Sequence, residues 1–315
     1  MAFGVAGGYG NLPNGKFSPV IYSQKVLKSF RKSSVVEDIT NTDYSGEIAN
    51  FGDSVKVILE PDITISPLLR GTQVSAQNLI DNDTTLIVDK ANYFAFAVDD
   101  IEEKHSHVSW DSLASDRAAY KLKDAFDAEV LNFMAEGAAS ANIVGLGTKT
   151  VSVQVAAGVT PGAGVFTPLG VMNRAVRYLD QQNVPQENRF FVADPVFWEQ
   201  FGDEDNKLMG ADWSGDEESQ VRNGRLTSKL VRGFKLYNSN NLPQGGTGPD
   251  SASGGANYGT IIAGHMSSTA TVSQIAKTES FRNPNAFGDI VRGMHLYGRN
   301  VLRPEALVVI RYAVG

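Results

Sequence analysis

The stretch 109–136 carries the longest periodic pattern in the chain, and it limits the possible folds more than any other feature. Its apolar residues recur every three or four positions over about seven turns, which predicts an amphipathic helix. We expect Ser109 to cap this helix and Gly137 to follow its end. At roughly 1.5 Å per residue the helix would be about 40 Å long, a length that suits the spine of a flat subunit. The apolar positions are Trp110, Leu113, Ala114, Ala118, Leu122, Ala125, Phe126, Val130, Phe133 and Met134.

The other side of this predicted helix is charged. Asp116, Lys123, Asp124, Asp127 and Glu136 fill much of the face that the apolar stripe leaves free. This division is typical of a helix that packs along one side and presents its polar side to water.

Residues 36–108, which precede the helix, have the pattern of β-strands. Alternating apolar positions within 55–59 predict one strand, which Pro61 ends. Two more strands are predicted over 84–89 and 93–98, where apolar and β-branched residues dominate.

The polar excursion between these strands, from about residue 70 to residue 83, is long for a loop inside a compact domain. We therefore expect an extended hairpin that leaves the body of the subunit and finds its partner on another subunit. Arg70, Gln73 and Asn78 are its candidate contact residues.

Residues 1–35 are predicted to form a flexible arm, because their glycine-rich start favours no regular structure. Apolar residues at helical spacing and a local basic cluster follow within residues 22–32. Two interpretations stay open: a fraying terminus, or an arm that grips a neighbouring subunit. Under the second, the candidate contact residues are Tyr22, Lys25, Phe30 and Arg31.

The chain after the long helix is predicted to form an α/β body. Thr167 and Pro168 start a second helix, since threonine caps well and proline loses no hydrogen bond at the first helical position. A boundary between domains is placed near residue 158. The further elements predicted are a strand at 189–193, a short helix at 196–201, strands at 233–237 and 258–263, and strand-like runs within 290–314.

Composition excludes several kinds of chemistry. The chain has no cysteine, so it forms no disulfide, thiolate nucleophile or cysteine-ligated metal site. Its net charge of −7 gives no basic footprint for a dedicated nucleic-acid binder. No signal peptide and no apolar run of membrane-spanning length is evident, so synthesis in the cytoplasm is expected.

Motifs for catalysis are also lacking. Neither a phosphate-binding P-loop nor a Gly-x-Ser-x-Gly nucleophile elbow occurs. His105 and His107 have no third ligand at motif spacing, so a surface turn is favoured over a metal site. The acidic residues within 99–103 favour a solvated turn over a cation site. We therefore expect no enzyme activity, no catalytic residues, no cofactor and no metal.

Three segments, taken in order with the predicted elements, resemble major capsid proteins of tailed bacteriophages with the Hong Kong 97 fold. The first, LDQQNVPQENRFFVADP at 179–195, is a helix-to-strand passage that recurs in such proteins. The second is GFKLYNSNNLP at 233–243. The third is FGDIVRGMHLYG at 287–298, followed by Arg-Pro-Glu at 303–305.

The resemblance implies an α+β fold of the Hong Kong 97 type with five parts. These are an N-terminal arm (1–35), an extended β loop with flanking strands (36–108), a spine helix and peripheral domain (109–158), an α/β axial domain (159–275), and C-terminal strands that return to the peripheral domain (276–315). The implied function is self-assembly, through hexamers and pentamers, into the icosahedral shell that encloses the double-stranded DNA genome. The chain would reside in the virion after synthesis in the host cytoplasm.

The resemblance also implies partners. We expect homo-oligomers, a separate scaffolding protein, a portal, and in some cases a decoration protein; DNA would be enclosed without sequence-specific binding and no membrane would be involved. The nearest competing interpretation is a cellular encapsulin-type compartment, which shares the fold. A cytosolic α/β enzyme and a phage decoration or tail protein also stay open, although a decoration or tail protein should lack the long helix.

Overall fold

The computed structural model describes residues 34–46, 54–59, 82–99, 110–144, 151–153, 165–201, 230–246, 258–283 and 287–314, with Lys32 and scattered residues of 61–78 and 248–249. Two larger units organise these residues: a seven-stranded mixed sheet covered by helices, and a three-stranded antiparallel sheet. A separate two-stranded hairpin completes the strands of the described residues. The fold is therefore α+β.

The seven-stranded sheet forms the body of the subunit. Its strands are β4 (Ile143–Val144), β5 (Val151–Val153), β6 (Val165–Phe166), β7 (Arg189–Ala193), β8 (Phe234–Asn238), β9 (Gly259–His265) and β12 (Leu307–Val314). Their order is β6-β5-β12-β9-β7-β8, with β4 also pairing with β12. The strand nearest the C-terminus, β12, therefore lies at the centre of the sheet, parallel to β4 and β5 and antiparallel to β9.

Alternation along β7 shows why both faces of this sheet are covered. Phe191 and Ala193 point into one core, whereas Phe190 and Val192 point into the other, and all are buried. A strand with two buried faces is expected to be apolar at every position. The sequence RFFVA meets this requirement except at its first residue, Arg189.

Four α-helices of the described residues accompany the sheets. They are α1 (Val36–Ile39), α2 (Trp110–Gly137), α3 (Pro168–Gln181) and α4 (Pro195–Phe201). Helix α2 contributes Phe126, Val130, Leu131 and Met134 to one core, and α3 and α4 supply the other, so the body has a helix–sheet–helix arrangement. The expected cap at Thr167 is present, since its hydroxyl accepts from the Gly170 N–H at 3.1 Å, and Asp194 accepts from the Phe197 N–H at 3.2 Å at the start of α4. The cap expected at Ser109 lies outside the described residues.

The three-stranded sheet consists of β3 (Lys90–Asp99), β10 (Thr269–Arg282) and β11 (Gly288–Val301), in the order β10-β11-β3. The β10 strand has no counterpart among the elements predicted from sequence, and the expected domain limit at residue 275 falls inside it. The hairpin pairs β1 (Ser54–Leu59) with β2 (Asn82–Ile87) in antiparallel register. This pairing agrees with the predicted extended hairpin, and the domain limits themselves stay a prediction.

The passage from α3 to β7 is held by a buried arginine. Arg189 is 1% exposed, and its guanidinium donates to Asp180 Oδ1 at 2.7 Å and to the carbonyl oxygens of Val184 and Pro185. Asn183 takes a positive φ of 57°, which ends the helix. These hydrogen bonds explain why the residues of the first resembling segment occur together. The charge of Arg189 can be buried only with these acceptors around it.

Candidate subunit-contact surfaces

The β1–β2 hairpin exposes large apolar side chains. Ile58 on β1, and Ile63 and Ile65 beyond it, are 80%, 64% and 92% exposed. The Thr64 N–H donates to the Gln77 side chain at 3.1 Å, so two separated parts of the excursion contact each other. Single exposed apolar residues are common on protein surfaces, whereas several together are typical of an interaction surface.

The three-stranded sheet has one face turned away from α2, which we call the outer face. Cross-strand pairing aligns Tyr93 with Met294 and Phe281 with Ile290 on it. Between these pairs, Arg292 binds Glu279 at 2.7 Å and stacks its guanidinium over the Phe281 ring at 4.9 Å. These residues line a mostly apolar groove of about 530 Å³. Tyr93 is 80% exposed and both Met294 and Phe281 are about 40% exposed, so the groove is open in the single subunit.

Asp127 anchors the chain where the predicted arm meets the body. Its Oδ1 accepts hydrogen bonds from the Ser34 hydroxyl at 3.0 Å and from the backbone N–H groups of Val35 and Val36 at 2.8 and 3.0 Å. Its Oδ2 accepts from the Asn241 side chain at 3.0 Å. The expectation that Asp127 belongs to the polar face of the helix was wrong, because this carboxylate is fully buried. The start of the described chain, the long helix and the loop after β8 are thereby joined at one residue.

Asn241 extends this network. It belongs to the second of the segments that carried the resemblance, and it donates also to Asp124 Oδ1 at 2.9 Å. The Lys32 ammonium donates to the Asn241 side-chain oxygen at 2.7 Å, and the Lys32 N–H donates to the Tyr120 hydroxyl at the same distance. Lys32 was predicted only as part of a basic cluster; the structure gives it neutral acceptors on the body.

The contact residues predicted from sequence divide into two groups. Arg70, Gln73 and Asn78 are exposed on the excursion between β1 and β2. Tyr22, Lys25, Phe30 and Arg31 lie outside the described residues, as do His105 and His107. No described contact joins the first group to another part of the subunit, so their role in subunit contacts stays a prediction.

Sequence reasoning missed the outer face. Tyr93 was recognised as part of a strand, but its exposure was not predicted. Phe281 lies on β10, whose polar and charged residues give no apolar alternation that would predict a strand. The alternation of the small Ala95 and Ala97 with the large Phe94 and Phe96 was the signal that could have separated the exposed face of this strand from its more buried face.

The described residues contain no group of three or more histidine, aspartate or glutamate side chains placed to hold a metal ion. None of the helices in the described part of the chain combines the length and apolar character that crossing a membrane demands.

Comparison with solved structures identifies the fold. A chain of Mycobacterium phage Che8 is similar with a TM-score of 0.71 at 24% identity, over 94% of this chain and 97% of that one. A chain from the capsid of cyanophage P-SCSP1u has a TM-score of 0.70 at 18% identity, over 97% and 96%. A chain from the capsid of Ralstonia phage GP4 has a TM-score of 0.67 at 12% identity, over 100% and 99%. No protein-family model and no curated protein sequence matches the chain.

These similarities extend over nearly the whole length of both partners in each comparison. The chain therefore has the fold of phage capsid chains, and the α+β capsid-type fold expected from sequence is confirmed. At these identities the likeness establishes the fold alone, because one fold can carry several functions.

Proposed function

We propose that this chain is the major capsid protein of a tailed phage, which self-assembles into the icosahedral shell around the viral DNA. The observation that carries the proposal is the whole-length match to chains from phage capsids, with no large part of the chain left over for another function. A structural role without enzyme activity follows from that proposal. The alternative of a cellular compartment shell rests on the shared fold alone and is not favoured.

The surfaces of the single subunit support assembly. The hairpin exposes Ile58, Ile63 and Ile65, and the outer face exposes Tyr93 and Met294. Burying such side chains against a second copy releases about 25 cal/mol for each Å² of apolar area. Because the hairpin and the outer face are different patches, a contact between them is heterologous, and such contacts close into rings when the rotation between neighbouring copies closes.

We also propose the finer features expected from sequence. The hairpin with Arg70, Gln73 and Asn78 lies on a neighbouring subunit, and the arm before Lys32 grips another. Ordering such segments costs conformational entropy, so each single contact is weak and the closed shell is collectively stable. Scaffolding, portal and decoration proteins are the partners proposed for assembly in the host cytoplasm, and the virion is the final location.

Electron microscopy and velocity sedimentation of the purified chain, co-expressed with any adjacent scaffolding gene, test the proposal. We expect hexamers and pentamers, or closed icosahedral particles. A variant with both Ile63→Ser and Ile65→Ser should stay unassembled while folding normally. The matched control is Leu230→Ser, which replaces an apolar residue of comparable exposure outside the hairpin. A monomer or dimer under every condition would contradict the proposal and would redirect the search to ligands.

A further inference from the structure

The N-terminal half of α2 and the inner face of the three-stranded sheet line a half-open cavity of about 480 Å³, which we call the seam cavity. Phe94, Leu122 and Phe126 form much of its apolar lining, and Glu37, Asp116 and Lys123 are its charged residues. A Cβ atom at Gly293 would collide with the Phe94 ring, so the sheet is shaped to receive that ring. The packing here is therefore specific although it leaves space.

His295 lies at this seam and is only 7% exposed. Its Nε2 is 2.7 Å from the Ser273 hydroxyl oxygen. Its ring stacks on Tyr297, with centroids 5.4 Å apart, and Phe126 of α2 meets both rings edge-on at 5.5 and 5.1 Å. Nδ1 is buried and has no hydrogen-bond partner among the described residues. The His295 ring therefore links the sheet to α2. Its Nε2 contacts Ser273 on the sheet, whereas its contact with Phe126 of α2 is apolar only.

The surroundings of His295 favour the neutral ring. Burial lowers its pKa from the ordinary value of 6.5, and the negative charge of Glu37 opposes that shift. From α2, Asp116 and Lys123 face the same cavity, whereas the neighbouring strands present the neutral residues Asn92 and Ser273. The Glu37 carboxylate is already held by the Lys123 ammonium at 2.8 Å.

We propose that His295 is a proton-operated switch that loosens the packing of α2 on the three-stranded sheet in acid. The protonated ring carries an N–H at both nitrogens, so its Nδ1 donor has no acceptor in the apolar contact with Phe126, and a buried unpaired donor on a cation is costly. It also adds a second cation that competes with Lys123 for Glu37. Both effects favour a seam that opens toward water, where the donor and the charge are solvated. The proposal concerns the single subunit and does not depend on the proposed function.

Hydrogen exchange of the unassembled full-length chain tests the switch. Rates are compared at about pH 7.5 and about pH 5, on either side of the ordinary histidine pKa, after correction for intrinsic exchange. We expect amides of residues 115–126 and of β11 to exchange several-fold faster in acid, while amides of β7 stay unchanged. The variant His295→Gln keeps a side-chain nitrogen or oxygen near the position of Nε2 but takes up no proton. It should lose the acid effect.

The matched control is His265→Asn. His265 also has a pKa lowered by burial and by Arg189 and Arg303, but it lies on β9, away from the seam cavity. This variant should keep the acid effect at residues 115–126. If His295→Gln keeps that effect in full, or if His265→Asn removes it, the proposal is wrong.

A second measurement covers the case in which His295→Gln does not fold. His295→Phe keeps the ring stacking and equally cannot titrate, and it should show no acid effect. In the wild-type chain, NMR titration of the histidine rings follows His295 directly. Replacing Glu37 with Gln should move the His295 midpoint to lower pH, because an attractive charge is lost. A midpoint that does not move would refute the arrangement of charges on which the switch depends.

Discussion

The two larger sheets of this subunit differ in how they are covered. The seven-stranded sheet is packed on both faces, by α2 on one and by α3 and α4 on the other. On the three-stranded sheet, α2 packs against the inner face. The outer face is covered at one end, where Leu86 and Val88 pack against Val272 and Leu296, and at its other end it presents Tyr93, Met294 and Phe281 to solvent. The first sheet is thus covered on both faces within one chain, whereas the second leaves apolar area exposed.

This difference separates folding from assembly within one chain. Changes in the body should act on the free energy of unfolding, and changes on the outer face should act on association.

Truncating the body core should cost the most. Phe191 is fully buried, and its ring lies 5.7 Å from Phe197, 5.7 Å from Phe234 and 6.0 Å from Trp198. Phe191→Ala should lower the free energy of unfolding by about 3–5 kcal/mol, measured by urea denaturation. The matched variant Phe281→Ala, on the outer face, should cost less than about 1 kcal/mol. Equal losses would abolish the distinction between the two sheets.

Removing the Asp127 carboxylate should have the next largest effect. Asp127→Ala leaves the N–H groups of Val35 and Val36 without their acceptor, at a cost of about 2–4 kcal/mol. The loss should be smaller for Asp127→Asn, which keeps one acceptor oxygen. Glu136→Ala, an exposed acidic residue of the same helix, is the control and should change stability by less than about 0.5 kcal/mol. If Asp127→Ala and Glu136→Ala lowered the free energy of unfolding equally, Asp127 would have no anchoring role.

The proton switch gives a pH-dependent prediction of intermediate size. Burial in the folded chain lowers the pKa of His295, so below the ordinary pKa of 6.5 the unfolded chain binds more protons than the folded chain. Stability contributed by the neutral ring is therefore complete above that value and is lost as the pH falls below it. Thermal unfolding followed across this range should show a shallower loss for His295→Gln than for the wild-type chain. Identical slopes would mean that other groups cause the acid sensitivity.

Changing the outer face should hardly affect the free subunit. The double variant Tyr93→Ser and Met294→Ser should alter the free energy of unfolding by less than about 1 kcal/mol, because both side chains already meet solvent. It should nevertheless reduce assembly in sedimentation. Lys235→Ser, on the edge strand of the body, is the exposed control. A double variant that assembles as readily as the control would leave the outer face without a role in contacts.

Deleting residues 1–30 should have the smallest effect on the body. The described contacts between the N-terminal segment and the body begin at Lys32 and include the hydrogen bond from Val35 to Asp127. The deletion leaves these contacts in place. The melting temperature should stay unchanged, whereas assembly should weaken. Intact shells from the truncated chain, seen by electron microscopy, would show that the arm is not needed.

Local pattern predicted the elements whose signals lie within a few turns of chain. Helix α2 was expected at 109–136 and lies at Trp110–Gly137, and the Thr167 cap places the start of α3. The strand β7 was expected at its observed bounds. Periodic spacing and caps act between neighbouring residues, and a single sequence contains them in full.

Other features could not be read in this way. The β10 strand contains the charged residues Lys277, Glu279 and Arg282, so its own sequence does not predict a strand. It forms because it pairs along β11. The burial of Asp127 also depends on partners that are distant in the chain, Val35 and Asn241. The same holds for the excursion between β1 and β2, where exposure of Arg70, Gln73 and Asn78 agrees with the sequence but contact with another subunit is untested.

Residues close together in the chain account for the apolar spacing within the helices, for the apolar strand β7 and for the pairing of Asp180 with Arg189, because these depend on periodicity and on short-range hydrogen bonds. Which apolar residues stay exposed depends instead on packing between distant parts of the chain. Tyr93 and Phe191 are both aromatic residues on β-strands, yet one meets solvent and the other is in the core. Burial is a property of what packs against a face, and helices distant in sequence cover both faces of the seven-stranded sheet but only one face of the other.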